Sequence, residues 1–151
     1  MGAEPGVIFI PPFGWKRPTP DPLMARTLSM LSASVARFPY VTYKNVHLGR
    51  SNFENVGVAI RTGRIGIGYD PGLLDYNDAG AMYLSYANKL IFRDPFTDTI
   101  VNRGTVVHEA THAALDMYRG NGLQSLDNEF FAYLAQAIAM ESLGHPALAV
   151  C

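Results

Sequence analysis

The sequence predicts an α+β fold, with a small antiparallel or mixed sheet packed against one N-terminal helix and two C-terminal helices. Three observations indicate this class. Residues 22–37 carry apolar side chains at helical spacing, residues 39–93 contain short β-forming runs, and two long helical stretches follow. The chain has 151 residues, of which 48% are hydrophobic, which is enough for one domain with its own core. We expect a Pro/Gly-rich arm at 1–21 and a single domain at 22–151.

Charge and cysteine content exclude several classes of function. The formal net charge is −1, so we expect no basic surface for nucleic acid or for an anionic membrane. Cys151 is the only cysteine, which leaves neither a disulfide framework nor a cysteine-based zinc cluster. No stretch is long enough for a transmembrane helix, and the apolar run at 7–10 is too short for a signal-peptide core. Neither a nucleic acid nor a membrane is therefore an expected partner.

The first half of the domain is predicted to hold one helix and one hairpin. Asp21 followed by Pro22 is a helix-start pattern, and helical periodicity of apolar residues follows it. Residues 40–43 are rich in β-forming side chains. The runs at 56–61 and 64–69 flank a Thr-Gly pair and predict a β-hairpin with a glycine turn.

Two further strands are predicted before the C-terminal helices. The Asp-Pro-Gly sequence at 70–72 predicts a turn, and the runs at 81–85 and 89–93 predict a second hairpin. The strand at 89–93 directly precedes a long helix. Its free edge can bind an extended peptide through main-chain hydrogen bonds, or it is an ordinary sheet edge.

The two C-terminal helices have recognisable ends. The first is predicted to begin at Thr97 or Asp98 and to continue to about Tyr118, where a glycine-rich segment follows. The second is predicted at 126–143, with Ser125 as its N-cap.

The first of these helices carries the pattern His108-Glu109-x-x-His112 within an almost entirely apolar stretch, 106–115. Histidines four residues apart lie on one face of a helix, so both imidazoles can bind the same zinc ion. Glu109 is offset from that face, where a general base can take a proton from a water beside the metal. Gly104, one turn before His108, either leaves room for a ligand or a strand or is simply tolerated. The motif predicts a small zinc metallohydrolase, in the first place a peptidase.

A catalytic zinc usually has a third protein ligand, which must come from outside this motif. A third histidine in the metzincin arrangement would fall at Tyr118, and the glycine of that arrangement at Leu115, so the metzincin class is excluded. Glu129 is the favoured ligand, because a short connection would bring its helix back antiparallel to the first. The full set of candidates is Asp116, Asp127, Glu129, Glu141 and His145.

The spacing of these residues is similar to that of a known family. His108-Glu109-x-x-His112 followed by Asn128-Glu129 on the next helix resembles the gluzincin pattern, the thermolysin-like branch of the zincin peptidases. The likeness is specific only at the motif positions themselves.

The resemblance has implications for the fold, the site and the substrate. It implies a zincin-like fold in which His108, His112 and Glu129 bind Zn²⁺ and Glu109 acts as general base and acid. It also implies that the strand at 89–93 is the edge along which a peptide or protein substrate binds.

The match extends from roughly residue 81 to 138 and departs from the family in its details. Where thermolysin-like enzymes have an aspartate one turn after the glutamate ligand, this chain has Tyr133, so the residue that orients a zinc histidine is not assigned. Asp116 is either that residue or a solvated acid at the helix end. Tyr118, Tyr133 and His145 either stabilise the transition state, in place of the family's histidine, or are packing and surface residues.

The compact size and the sequence Val-His-Glu-Ala-Thr-His-Ala also resemble small zincin domains of bacterial effector and polymorphic-toxin proteins. This resemblance implies a domain delivered by a dedicated secretion route; otherwise the cytoplasm is expected. The predicted activity is zinc-dependent hydrolysis of peptide bonds. The alternatives are an amide hydrolase acting on cell-wall or small-molecule substrates, a binding module with an inactive zinc site, and a metal-free structural domain.

Overall fold

The structure, a computed structural model, describes residues 21–76, 79–93, 96–118 and 123–144. These residues form an α+β fold with two small sheets and five α-helices. The elements in chain order are α1 (Pro22–Val35), β1 (Val41–Tyr43), β2 (Val46–Leu48), α2 (Arg50–Arg61), β3 (Gly66–Tyr69), α3 (Pro71–Tyr76), β4 (Ala81–Leu84), β5 (Lys89–Phe92), α4 (Ile100–Met117) and α5 (Ser125–Ser142). The arm predicted at 1–21 lies outside the described residues, apart from Asp21.

The N-terminal helix α1 begins where the sequence predicts. The Asp21 carboxylate accepts the Leu23 N–H at 2.9 Å, and Pro22 occupies the first helical position, where no N–H partner is needed. One face of α1 is buried against α2 and α4. The predicted amphipathic helix is therefore confirmed, and it ends at Val35.

The stretch predicted as the first strand of a hairpin, 56–61, is instead the second half of α2. In a strand, Val56, Val58 and Ile60 would share one face. In the structure Val56 and Ile60 are buried whereas Val58 is exposed, and the buried Phe53 lies one helical turn before Val56. The hairpin prediction was wrong because this apolar pattern fits both periods, and packing against α1 and α4 favours the helix.

The turn predicted at 70–72 is the first part of α3. Asp70 Oδ1 accepts the Leu73 N–H at 3.1 Å and Pro71 takes the first helical position, as at the start of α1. Leu74 is completely buried and attaches the short helix to the core. Asp-Pro begins turns and helices alike, and here the burial of Leu74 favours the helix.

The three-stranded sheet is mixed, and β5 is its central strand. β4 and β5 form the antiparallel hairpin predicted at 81–85 and 89–93, while β3 pairs with β5 in parallel. The strand order is β3-β5-β4, so both sides of β5 are paired. The expectation that 89–93 is a free edge is therefore wrong. The edge strand in contact with α4 is β4.

A second, two-stranded sheet is formed by β1 and β2. Lys44 and Asn45 connect the two strands, and both have positive φ, 47° and 65°. Two consecutive residues with positive φ make the tight turn whose twist matches that of the flanking strands. β1 confirms the β-forming run predicted at 40–43, whereas β2 and the hairpin were not predicted because the turn is Lys-Asn and has no glycine.

The central helix is α4, which packs against α1, α2, α5 and β4. It begins at Ile100, where the Thr99 hydroxyl accepts the Asn102 N–H at 3.1 Å. The cap thus lies slightly later than predicted, and Asp98 instead pairs with Arg103 at 2.6 Å. Its buried residues are Gly104, Val106, Val107, His108, Glu109, Ala110, Thr111, Ala113, Ala114 and Leu115.

Gly104 leaves room on α4 for the Met140 side chain of α5. A Cβ added at this position would lie 2.6 Å from the sulfur and 2.8 Å from Cγ of Met140. The glycine therefore makes room for the neighbouring helix, rather than for the ligand or strand considered in the sequence analysis.

Gly104→Ala is expected to lower the free energy of unfolding by about 1–3 kcal/mol, because overpacking of a core outweighs the gain in helix propensity. Gly57→Ala is the matched control. Gly57 is also inside a helix, but a Cβ there would meet no atom closer than 3.8 Å, so this variant is expected to be at least as stable as the parent. Urea unfolding measures both changes. A Gly104→Ala protein as stable as the parent would contradict the close packing.

The last helix, α5, agrees closely with the predicted range, 126–143. Its N-cap is Gln124 rather than Ser125, and it is followed by Gly144 with φ 87°, a left-handed conformation that glycine adopts readily. In the described part of the chain, no helix combines the length and apolarity needed to cross a lipid bilayer.

Candidate metal centre

Side chains from α4 and α5 converge on one point. His108 and His112 lie one turn apart on α4, and their Nε2 atoms are 3.3 Å from each other. Glu129 reaches them from α5: its Oε1 is 3.0 Å from His112 Nε2 and its Oε2 is 3.5 Å from His108 Nε2. One ligand atom from each residue lies within 4.8 Å of the others. The structure therefore brings together the three residues predicted to bind zinc.

The other nitrogen of each imidazole faces an amide oxygen. His108 Nδ1 lies 3.0 Å from Gln136 Oε1, and His112 Nδ1 lies 2.6 Å from Asn128 Oδ1. An amide oxygen can only accept a hydrogen bond, so each Nδ1 must carry the hydrogen. In a neutral ring this leaves the lone pair on Nε2, directed at the other histidine and at Glu129.

The convergence therefore consists of acceptors only. Two Nε2 lone pairs and a carboxylate face each other, and with neutral rings no hydrogen lies between them. Burial, with the neighbouring His112, lowers the pKa of His108, which favours the neutral ring. A cation at the centre satisfies all of these atoms at once. Two imidazole nitrogens and one carboxylate are a ligand set that suits Zn²⁺ in a catalytic site.

Glu109 lines the same cleft as this triad and is buried beside β4. The backbone N–H of Tyr83 donates to Glu109 Oε2 at 2.7 Å, and the residue is 8% exposed. Burial raises the pKa of Glu109 to about 7, although the Tyr83 N–H opposes that shift. A carboxyl group with a pKa near neutrality can both accept and release a proton, which is what a general base and acid requires.

Asp116 does not orient either histidine, which was one of the two roles considered for it. Its Oδ2 accepts the Tyr83 hydroxyl at 2.8 Å. Burial and the Asp116 carboxylate raise the pKa of Tyr83, so its hydroxyl remains a donor. Tyr83 thus connects β4 to α4 twice, through its backbone at Glu109 and through its side chain at Asp116.

Asn128 and Gln136 are the residues that orient the histidines, and the sequence analysis did not assign them this role. Asn128 directly precedes Glu129, and Gln136 follows Glu129 by seven residues, close to two helical turns. This helical spacing, which places Glu129 and Gln136 on the same side of α5, is the feature of the sequence that could have indicated the role. Tyr133, which replaces the family's aspartate, instead contacts the His108 ring edge-on, with 4.5 Å between ring centroids.

The remaining candidate ligands lie elsewhere. Asp127 binds the Tyr43 hydroxyl and the Lys44 ammonium, at 2.8 and 2.9 Å. Glu141 is exposed near the end of α5, and the triad does not include it. His145 lies outside the described residues.

A cleft of about 770 Å³ opens at the triad, between β4, α4 and the start of α5. Three carboxylates line it and, within the described residues, no lysine or arginine does. Tyr118 also lines this cleft. The principal lining residues are Ala81, Met82, Tyr83, Ser85, His108, Glu109, His112, Asp116, Tyr118, Asn128 and Glu129.

Asn128→Ala and Gln136→Ala are each expected to weaken zinc binding by about 10–100-fold, because each releases one imidazole from its fixed orientation. Competition with a chromophoric zinc chelator measures the affinity. Asn55→Ala, at an exposed position on α2, is the matched control and should bind zinc like the parent. Parental affinity in both site variants would show that the amide contacts do not orient metal ligands.

Neither a protein-family model, nor a curated protein, nor a solved structure matches this chain. Any assignment of function therefore depends on the chemistry of the site itself.

Proposed function

We propose that this chain is a zinc-dependent metallopeptidase of the gluzincin type. The observation that carries the proposal is the meeting of two Nε2 atoms and the Glu129 carboxylate, with both Nδ1 atoms facing amide oxygens. The buried Glu109 beside this ligand set distinguishes a hydrolytic site from a structural one, because a structural zinc has no use for an additional carboxylate.

The proposed roles follow from where each side chain lies. His108, His112 and Glu129 would hold Zn²⁺, which when bound lowers the pKa of a coordinated water and polarises a carbonyl group. Glu109 accepts the proton of the attacking water and passes it to the leaving amine. The Tyr83 N–H keeps one Glu109 oxygen in place, so the carboxylate holds its position while it gains and loses the proton.

The substrate is proposed to lie along β4, not along the strand at 89–93. Tyr83 directs its N–H to Glu109, away from β5, and alternate residues of an antiparallel strand direct their backbone groups to the same side. The N–H and carbonyl of Ala81 and the carbonyl of Tyr83, whose N–H is already bound to Glu109, therefore lie on the side of β4 opposite β5. An extended peptide that pairs with this edge would enter the cleft beside the triad.

The arrangement of β4, α4 and α5 around the site supports a zincin-like fold as part of this proposal. The small size and the motif sequence support, in the same way, a domain delivered by a secretion route. The absence of cationic side chains among the described cleft residues favours a peptide or another neutral amide over an anionic substrate.

The test is metal analysis followed by a cleavage profile. Protein purified without added zinc is expected to contain one zinc per chain and to cleave bonds in a diverse peptide pool, with cleavage lost in chelator and restored by zinc. Near-zero zinc with an intact fold would indicate a structural domain. Zinc without cleavage of any peptide would indicate a binding module or, if other amides are hydrolysed, an amidase.

A further inference from the structure

The first turns of α5 carry four consecutive residues that each make a contact away from their own helix. Asn128 binds His112, and Glu129 completes the triad. The flanking residues, Asp127 and Phe130, instead contact the tip of the β1–β2 hairpin, which belongs to the other sheet and has no role in the proposed chemistry.

The polar part of this contact is centred on Asp127. The Tyr43 hydroxyl donates to Asp127 Oδ1 at 2.8 Å, and the Lys44 ammonium donates to Asp127 Oδ2 at 2.9 Å. Both carboxylate oxygens are thus fixed by side chains that are more than eighty positions away in sequence.

The apolar part surrounds Tyr43. Its ring meets Phe130 with 5.0 Å between centroids and Phe131, edge-on, at 5.8 Å. Phe131 is completely buried in the core, while Phe130 is half exposed beside Glu129. Ring pairs at these distances add about 0.5–1.5 kcal/mol each beyond the area they bury. Tyr43 therefore contacts the start of α5 through both its ring and its hydroxyl.

The backbone of the hairpin tip is shaped for this contact. Lys44 adopts a positive φ of 47°, a conformation that non-glycine residues other than asparagine and aspartate rarely adopt. The tight turn places Lys44 directly after Tyr43 at the tip, and both side chains reach the same carboxylate. Such a conformation persists when surrounding contacts over-determine it.

We infer that the β1–β2 hairpin is a positioning element for the metal centre, in which Tyr43 and Lys44 hold Asp127 and thereby fix Asn128 and Glu129 against His112. The inference rests on the proposed metal site. α4 fixes its two histidines through its own helical geometry, but Glu129 comes from a separate helix, so its position depends on how that helix is held. Packing against α4 holds α5 along its length, and Tyr43 and Lys44 of the hairpin are the positioning residues at its first turn.

The test compares zinc affinities of the full chain by chelator competition. The double variant Tyr43→Phe with Lys44→Met, which keeps the Tyr43 ring, is expected to bind zinc about tenfold more weakly, within the range seen when outer partners of metal ligands are removed. The matched control is Tyr40→Phe with Lys89→Met. It loses the same groups at positions without a described contact to α5, and it should keep parental affinity.

A second comparison separates positioning from general loss of stability. In a background with both positioned residues replaced, Asn128→Ala with Glu129→Gln, the hairpin substitutions are expected to change zinc affinity far less than in the parent, because neither residue they position is then present. Leu74→Ala, which removes a buried side chain far along the chain from the site, should lower the midpoint of urea unfolding and leave the affinity of the folded protein unchanged. The absorption spectrum of the cobalt-substituted protein reports the geometry of the metal ligands. It should change in the hairpin variant and not in Leu74→Ala.

Parental zinc affinity and an unaltered cobalt spectrum in the hairpin variant would overturn the inference. An equal loss of affinity in the parent and in the Asn128→Ala, Glu129→Gln background would do so as well, because the hairpin would then act through something other than these two residues. A different result is expected if the proposed function itself is wrong. In that case the parent chain itself binds no zinc, or binds it without hydrolysing any peptide.

Discussion

Glu109→Gln is expected to bind zinc as tightly as the parent and to hydrolyse peptides about 10²–10⁴-fold more slowly, the usual contribution of a positioned general base. Glutamine has nearly the same shape, and its amide oxygen can still accept the Tyr83 N–H. It cannot accept the proton of the attacking water, however. The loss should therefore appear in kcat, with the metal content unchanged.

Steady-state cleavage of the best substrate, with zinc content measured on the same sample, gives both quantities. Glu54→Gln is the matched control, because Glu54 is exposed on α2 and, among the described residues, forms its ion pair with Arg50. It should behave like the parent. If Glu109→Gln hydrolyses peptides at the parental rate, Glu109 is not the general base. The site would then have no feature that distinguishes it from a structural zinc site.

Glu129→Gln is expected to weaken zinc binding by more than the roughly 10–100-fold assigned to an outer partner, because it removes the negative charge of a direct ligand. Activity should fall at limiting zinc and recover in part when zinc is raised. The substitution keeps the size of the side chain, so the α4–α5 contact is preserved. Chelator competition and a zinc titration of activity measure these effects.

Three other carboxylates serve as controls for Glu129. Glu141 is exposed on the same helix, and Asp116 contacts the Tyr83 hydroxyl rather than the triad. Glu141→Gln and Asp116→Asn should both retain parental zinc affinity. Asp127→Asn should weaken binding less than Glu129→Gln does, because Asp127 acts on the site through its neighbours. If Glu141→Gln or Asp116→Asn reduced affinity as much as Glu129→Gln, the ligand assignment would be wrong.

The orientation of the two histidines shows how this site differs from the pattern it resembles. The aspartate expected one turn after the glutamate ligand is replaced by Tyr133, whose ring contacts His108 edge-on. Two amides, Asn128 and Gln136, hold the Nδ1 atoms instead. A neutral amide raises the basicity of an imidazole less than a carboxylate does, so the histidines are oriented without an additional negative charge near the metal.

The sequence was sufficient for those features that depend on a single segment. Histidines at i and i+4 must share a face of α4, and Glu109 must lie beside them, because the helical repeat fixes both relations locally. The start of α1 was equally predictable, since Asp21 and Pro22 act within one turn. Glu129 could be favoured as a partner because a short connection limits where the next helix can lie.

Only the tertiary structure decided the features in which distant segments compete. Residues 56–61 fit a strand or a helix equally well by pattern, and contact with α1 and α4 selected the helix. The strand at 89–93 had an evident partner in β4, but its pairing with β3 made it central and left β4 as the edge. The periodicity of a segment indicates which of its residues share a face. Whether that face is buried, and which strands pair, depends on the other segments that it packs against.

The features of the candidate metal centre also fall into two groups: those determined by one segment and those determined by tertiary packing. The sequence specified two of the proposed ligands and the proposed base, because they lie on one helix. The contacts of Gln136 and Asn128 with the imidazoles, and the contact of the β1–β2 hairpin with Asp127, join residues that are 16 to 84 positions apart. Their geometry is set by the packing of α5 against α4 and against the hairpin, and no local repeat in the chain encodes that packing.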